Sequence, residues 1–456
     1  MQLQIHNSLS GQKEAFKPMD PSNVRIYVCG PTVYNYVHIG NARPAVVFDA
    51  FVRLLRHLYP QVVYARNITD IDDKINHAAA AAGVDISQIT QTYIEAYHQD
   101  MGALGVLPPD LEPKATDHLP EIIDLVERLI ERGHAYESES HVLFAVDSMQ
   151  DYGKLSKRKL DDMIAGARVE VASYKRNPLD FVLWKPSTDD LPGWNSPWGR
   201  GRPGWHIECT AMINRHLGAT IDIHGGGHDL SFPHHENEIA QGTCAHEHPE
   251  NYVNYWMHNG MITVEGEKMS KSLGNFITAR ELLQDYPAEQ LRLALLSAQY
   301  RSSLNWSNQL LEQSKQSLDR FYGVLRDAGQ VSQGQIDPEF LSALCDDFNS
   351  PQAIAQLHQL ASAFYRSQDE QQKQQLAANL KASAQLLGLL DQQPNQWFQQ
   401  EQQGKISTTQ IEQLIADRAT AKANREFAKA DAIRQQLLDQ GVVLEDSRDG
   451  TRWHWQ

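Results

Sequence analysis

The sequence predicts an α/β chain built on a parallel sheet, with a β-rich insertion, a helical region and a small α+β tail. Three observations carry this reading. Two short apolar runs, 24–29 (VRIYVC) and 62–66 (VVYAR), flank a stretch at 45–58 whose apolar residues recur at helical spacing. That strand–helix–strand order makes a βαβ unit with parallel strands. The α/β pattern resumes after residue 200, and from Glu281 to about Leu390 the periodicity is almost wholly helical.

The other elements follow in chain order. Stretches 87–104 and 117–132 have the spacing of amphipathic helices. From His134 to Val146 alternation returns, which predicts a β-rich insertion running to about residue 200. Residues 199–204 read as loop, 206–217 as helix, 220–224 as strand, Gly225-Gly226-Gly227 as a turn and 232–244 as helix. Residues 391–404 hold seven glutamines, a proline and a closing glycine, and read as a linker. Residues 408–439 predict one or two helices ending near Gly441, and Val442 to Trp455 a strand pair. The expected boundaries are 1–118 and 201–260 for the two halves of the α/β domain and 119–200 for the insertion. Beyond them come a loop region at 261–310, a helical bundle at 311–390, the linker at 391–404 and the tail at 405–456.

Composition excludes several classes. A chain of 456 residues has ample length for several cores. It has no apolar run long enough to span a bilayer, and its polar start, Met1 to Ser10, lacks a signal-peptide core. Cys29, Cys209, Cys244 and Cys345 are too few and too dispersed for a disulfide framework, which fits a reducing cytoplasm. A net charge of −16 argues against a general nucleic-acid coat, although local patches decide RNA binding. Of the 41 basic and 57 acidic residues, 8 of each fall in 405–456, so the tail alone escapes the acidic bias.

Two strings carry candidate phosphate chemistry. His38-Ile39-Gly40-Asn41 stands where the chain enters a helix, whose unpaired N–H groups favour anions. Gly40 permits close backbone approach, and the His38 and Asn41 side chains can both donate to phosphate oxygens. Lys268-Met269-Ser270-Lys271-Ser272 sets two ammonium groups three residues apart beside glycine, suited to charge that builds up in a transition state. Metal donors are also present. Cys29 ends the first strand, where ligands of a parallel sheet gather, Cys209 opens a helix, and His234 and Glu238 share a helix face. Proximity alone makes His235 or Glu236 equally eligible.

In this order, and about half the chain apart, the two strings resemble the signature pair of class I aminoacyl-tRNA synthetases. Further stretches are similar to cysteinyl-tRNA synthetases: Tyr27 to Tyr34 (YVCGPTVY), Arg66 to Lys74 (RNITDIDDK), Lys175 to Pro178 (KRNP), Asp346 to Asn349 (DDFN) and the region Gly441 to Trp453. The resemblance covers nearly the whole chain. It departs at Asn41, where the family usually has histidine.

The resemblance implies a Rossmann-like catalytic domain that joins ATP to L-cysteine and passes the product to tRNA(Cys). Magnesium would enter with ATP. It implies that the Lys268–Lys271 string is a mobile loop over ATP, and that zinc is held by residues matching Cys29, Cys209, His234 and Glu238. Such a metal would separate cysteine from serine, whose near-identical shapes differ by only about 1–3 kcal/mol in an ordinary pocket. Thiophilic zinc takes a thiolate and not a hydroxyl, so no editing domain is needed, and the insertion is small for one. At ATP, His224, Gly226 and the glycines beside it offer backbone to an adenine ring and Asp229 an acceptor to a ribose hydroxyl, or the string is a plain turn. Trp205 is either a wall of the cysteine site or core packing. The tail after the linker is implied to be an anticodon-binding domain. Trp453, Arg452, Arg448 and Asp449 have the side-chain types that stack on and bond single-stranded bases; the tryptophans equally suit pinning the small sheet. Nothing demands a dimer, and a monomer is expected. A cysteine ligase acting on an amino sugar would share the strings but lack the tail. A catalytically silent paralogue would have lost a lysine or a metal ligand.

Overall fold

The computed structural model describes residues 2–157, 172–247, 251–269, 273–399, 406–447 and 450–455. The chain divides into two compact units, one of Met1–Ser314 with Pro338–Gln356 and Leu386–Gly388, the other of the remaining residues.

The first unit opens with a hairpin that periodicity did not signal, β1 (Gln4–Asn7) and β2 (Gln12–Ala15). The predicted βαβ unit follows as β3 (Val24–Val28), α1 (Ile39–Leu58) and β4 (Val62–Arg66). Val24, Ile26 and Val28 of β3 are buried, each contributing roughly 1.5–3 kcal/mol of apolar transfer. Next come α2 (Asp73–Ala82), α3 (Ile86–Ala103) and α4 (Leu119–Glu131). The insertion is a four-stranded antiparallel sheet: β5 (Ala135–Ser138), β6 (His141–Phe144), β7 (Phe181–Pro186) and β8 (Gly201–Pro203). The 199–204 run is therefore partly strand, because Arg202 and Pro203 pair with Lys185 and Trp184. The α/β pattern resumes with α5 (Trp205–His216), β9 (Ile221–Gly227), α6 (His234–Cys244) and β10 (Val253–Asn259).

The main sheet is parallel, in the order β10-β9-β3-β4. From β3 the chain winds one way to β4, and later the other way to β9 and β10. The crevice between the C-terminal ends of β3 and β9 is the topological switch point, where such sheets bind ligands. The triple glycine is not a turn but the end of β9, with Gly225, Gly226 and Gly227 paired to Met257, His258 and Asn259. Glycine is required there by packing: a methyl on Gly225 would meet Phe48 at 2.4 Å, and one on Gly226 would meet His235 at 2.8 Å.

After β10 the chain forms a small sheet of β11 (Ile262–Val264), β12 (Glu267–Lys268) and β13 (Leu304–Trp306), with α7 (Ala279–Asp285) and α8 (Ala288–Leu296) in between. A three-residue strand is too short to register against the helical periodicity around it. Helix α9 (Asn308–Ala328), α10 (Pro338–Cys345), α11 (Ser350–Arg366) and α12 (Glu370–Leu386) make the region helical as expected.

In the second unit, α13 (Pro394–Phe398) falls inside the stretch read as a linker. Its Trp397 is buried, stacks on Tyr322 at 4.9 Å and donates from Nε1 to Asp319 at 2.8 Å. One tryptophan anchors a glutamine-rich stretch that composition alone marks as solvated. The tail is α14 (Thr408–Ala423), α15 (Phe427–Asp439) and the hairpin β14 (Val442–Ser447) and β15 (Gly450–Trp455). Gly441, at φ 81°, ends α15 as expected. Ile411, Ile433, Leu437, Val442, Leu444, Trp453 and Trp455 form its core. Among the described residues no helix is long and apolar enough to cross a membrane.

Candidate active site and metal centre

The two strings meet in space. His38 caps α1 in an extended conformation, at φ −81° and ψ 161°. The segment that follows the second string is bonded to it: Ile39 N–H donates to the Ile277 carbonyl at 3.0 Å, and Ala279 N–H to the Val37 carbonyl at 2.9 Å. The His38 ring packs edge-on against Phe276 at 5.0 Å. A methyl on Gly40 would lie 2.8 Å from His38 Nδ1 and 3.0 Å from Met269 Cε, so glycine here serves close approach. Asn41 and Lys268 are exposed beside this junction. Lys271 lies outside the described residues.

The metal donors gather at the switch point. Cys29 follows β3, Cys209 sits on α5, and His234 and Glu238 stand one turn apart on α6. One donor atom from each lies within 4.8 Å of all the others. Cys29 Sγ is 3.9 Å from Cys209 Sγ and 3.6 Å from Glu238 Oε1, and His234 Nε2 is 3.0 Å from Glu238 Oε1. Tetrahedral zinc with ordinary Zn–S and Zn–O lengths sets sulfurs about 3.8 Å apart and a sulfur about 3.6 Å from a carboxylate oxygen. The donors fit that ion with small adjustments.

A second set overlaps the first: Cys29, His224, His235 and Glu238 also lie within 4.8 Å of one another. Cys29 Sγ is 3.3 Å from His235 Nε2, and His224 Nε2 donates to Glu238 Oε2 at 3.0 Å. The first set offers two thiols to a soft ion and the second only one. The first set also has its imidazole oriented from behind, since His234 Nδ1 lies 2.9 Å from His206 Nδ1 and Trp205 stacks on the His234 ring at 4.2 Å.

Electrostatics hold two of the four donors, Glu238 and Cys209, towards their ligating form. Burial opposes ionisation of Glu238, yet the adjoining His224 and His234 rings hold its pKa at about 2. Burial likewise disfavours the His234 cation, but Glu238 and Cys209 raise its pKa to about 10. Of the two thiols, Cys209 is held down by the hydrogen bond from Cys29, while burial pushes Cys29 up. The buried pocket thus holds a thiolate and a carboxylate against an imidazolium, whose proton a cation can displace. His206 and His258, lowered to about 3 by burial first, and His235, lowered by burial first, stay neutral.

Other predicted residues are placed differently. His224 is fully buried against Glu238 and Gly226 is covered by His235, so neither faces an open nucleotide crevice. Asp229 is exposed just past the end of β9. Trp205 is 39% exposed and stacks on the His234 ring, so it is not core packing. In the tail, Trp453 is buried in the hydrophobic core and cannot stack on a base, so the tryptophans pin the sheet. Arg452 is exposed on the same strand, while Arg448 and Asp449 lie outside the described residues. Cys244 and Cys345 are buried packing residues as expected. The sequence reading missed His206, His258 and Asn67, the last of which accepts from Gly30 N–H at 2.9 Å just after Cys29. The only sequence signal for the two histidines was that they bound a histidine-dense stretch, His206 to His258.

Comparison with known proteins agrees with this geometry. Residues 15–316 match the tRNA synthetases class I (C) catalytic domain, and residues 339–391 the DALR domain. A cysteine–tRNA ligase of Saccharophagus degradans is 57% identical over 99% of both chains. That of Xanthomonas campestris pv. campestris is 56% identical, again over 99% of each. Among solved structures, methionyl-tRNA synthetase of Mycobacterium tuberculosis, in complex with methionyl-adenylate, shares the fold at a TM-score of 0.55 and 14% identity, covering 83% of this chain and 91% of that one. With both signature strings joined at α1 and a thiol-rich donor set at the switch point, the chain belongs to the cysteine–tRNA ligase family of class I synthetases.

Proposed function

We propose that the chain activates L-cysteine with ATP, releasing pyrophosphate, and transfers the cysteinyl group to the 3′ end of tRNA(Cys). The observation that carries this reading is the convergence of Cys29, Cys209, His234 and Glu238 at the switch point, one loop away from the joined strings. Zinc, when bound by these four, supplies a Lewis acid that takes a substrate thiolate and ignores a serine hydroxyl.

The chain's own residues do the rest. His38 and Asn41 donate to ATP phosphates at the start of α1, and Gly40 lets them approach. Asp229 accepts from the ribose. Lys268 and Lys271 balance the charge that grows on the phosphates as the cysteine carboxylate attacks, with magnesium arriving on ATP. Trp205 closes the cysteine site over His234 and excludes water. Residues 1–118 and 201–260 form the catalytic domain, 119–200 the insertion, and 261–310 the signature loop and stem-contact region. The bundle is 311–390, and 405–456 reads the anticodon, with Arg452, Arg448 and Asp449 as contact residues. The reading also includes a monomer working in the cytoplasm.

The test is charging of bulk tRNA with labelled cysteine, using purified protein, ATP and magnesium. A single cysteine-accepting species is expected to be charged. Cysteine-dependent pyrophosphate exchange without charging would refute the tRNA step, and loss of both in folded, zinc-loaded protein would refute the reading altogether.

A further inference from the structure

The string Asp346 to Asn349 (DDFN) forms the corner between α10 and α11. Its backbone is costly. Asp347 and Phe348 stand side by side in the left-handed region, at φ 57° and 48°. Aspartate tolerates that conformation, but a bulky aromatic avoids it. Such residues persist only where their surroundings over-determine them, and they gather at functional positions. Phe348 is held by burial and by an edge-to-face contact with Phe51 of α1 at 5.6 Å. Asp347 is held by one turn. Gln299, Tyr300 and Arg301 are consecutive, and all three side chains end on it. Tyr300 Oη donates to Asp347 Oδ1 at 2.9 Å, Arg301 Nε to Oδ2 at 2.8 Å, and Gln299 Nε2 to the Asp347 carbonyl at 2.7 Å. The His6 N–H adds a bond to Oδ1 at 2.8 Å. The Asp347 side chain is only 4% exposed, so these donors take the place of water around its charge.

The other side of the turn is the base of the small sheet. Gly260 N–H donates to the Tyr300 carbonyl at 2.7 Å, and a methyl on Gly260 would collide with the Ser302 carbonyl. Arg43 of α1, fully buried, grips the same junction. Its Nη1 donates to the Gly260 and Met261 carbonyls at 2.7 and 3.1 Å, and its Nη2 to that of Gln299 at 3.4 Å. From here the chain enters β11. That strand pairs with β13 from Leu304 on one edge and with β12 on the other, where Thr263 lies opposite Lys268. Met269 follows and lies against Gly40. The Asp347 carboxylate thus reaches Lys268 through one turn and one hairpin.

We infer that Asp347 is a positioning residue for the activation step. By fixing the turn at 299–302 it sets where the β11–β12 hairpin ends, and so holds Lys268 beside the start of α1. The inference rests on the activation reading above. Charge stabilisation by a lysine depends on where its ammonium stands when charge grows on the phosphates, so a hairpin that drifts loses rate more than binding.

The experiment uses full-length protein with Asp347→Ala, or with Tyr300→Phe and Arg301→Gln together, which removes two of the turn's donors and leaves the aspartate in place. Amide hydrogen exchange is read without substrates, so it decides the positioning even where activation fails. In both variants protection across 262–268 should fall about tenfold or more, while that of β9 and β10 stays within about twofold. In cysteine-dependent pyrophosphate exchange, kcat should fall about tenfold or more and KM for cysteine should stay within about twofold, because the donors on α5 and α6 are untouched. Adding Asp347→Ala to the Tyr300→Phe, Arg301→Gln protein should slow it by less than about twofold more, since all three act through one turn. Unchanged protection and kcat in the Tyr300→Phe, Arg301→Gln protein overturn the inference, even where Asp347→Ala fails to fold. So does protection that falls equally in β9, β10 and 262–268, since Asp347 would then hold up the fold and not the hairpin. A kcat that holds while protection falls also overturns it, because the place of the hairpin would not matter to activation.

Discussion

Met269 lies against Gly40, so that a methyl built on the glycine would sit 3.0 Å from the methionine Cε. This contact joins the two strings across the fold and makes Gly40 a test of whether their approach matters. No left-handed backbone angle holds glycine here, and alanine is the better helix former. The neighbours it would meet are the ends of the His38 and Met269 side chains, which can yield. Gly40→Ala should therefore leave the thermal midpoint unchanged or slightly raised. Its kcat/KM for ATP in pyrophosphate exchange should fall about tenfold or more, equivalent to about 1.4 kcal/mol. A matching loss of stability would make the glycine a folding residue.

The overlapping donor sets separate by substitution. Glu238 receives His234 at one oxygen and His224 at the other, so Glu238→Gln disables both sets. Zinc retained through dialysis should fall well beyond the roughly 10–100-fold affinity losses typical of outer-shell changes. Cys209→Ser should do the same and His235→Ala should not. Metal analysis showing the reverse, with Cys209→Ser zinc-loaded and His235→Ala empty, would move the ion to the second set.

The legible parts of this chain were those with local causes. Runs such as Val24 to Val28 and the helix of α1 announce themselves through burial at fixed periods. The glycines of β9 were read as a turn because composition carries no register; their cause is Phe48 and His235, distant in sequence. Cys29, Cys209 and the α6 pair had no common spacing, and only the fold brings them within 4.8 Å. Trp453 shows the opposite failure. An aromatic beside arginines has the composition of an RNA reader, but the strand's alternation turns it inward to the core and leaves Arg452 outside.

Arg292 of α8 is a buried cation whose role is mechanical. Its guanidinium bonds Asp49, donates to the Leu387 carbonyl at 2.7 Å and to the Leu104 carbonyl at 3.1 Å. Asp49 also keeps Arg53 at 2.9 Å, so removing Arg292 would not orphan the carboxylate. The cost of Arg292→Met is then mainly two buried carbonyls without donors, about 3 kcal/mol. The thermal midpoint should drop by several degrees, with exchange activity per folded molecule within twofold. Full stability would mean that the methionine packs as well as the guanidinium bonds.

Asp446 ties the tail together and should make it acid-sensitive. Arg418 grips it with a fork, both N···O distances 2.8 Å, and Lys422 and Thr451 add bonds of 2.8 Å each. The hydrogen bond from Arg418, followed by those from Lys422 and Thr451, holds the Asp446 carboxyl well below the usual carboxylate range. A group whose pKa is lower folded than unfolded stabilises the fold above the unfolded value, about 3.9, and loses that contribution as pH falls towards the folded one. The Asp446 side chain is 41% exposed, so screening by water keeps the gain to about 1 kcal/mol. Amide-exchange protection across 442–455, corrected for intrinsic rates, should be lower in Asp446→Asn by about that amount from pH 7 to about pH 5. The gap should narrow below about pH 4, as the carboxylate of the unfolded chain protonates while the native one stays ionised. A gap that stays constant to pH 3 would mean that the aspartate acts through packing and not through its charge.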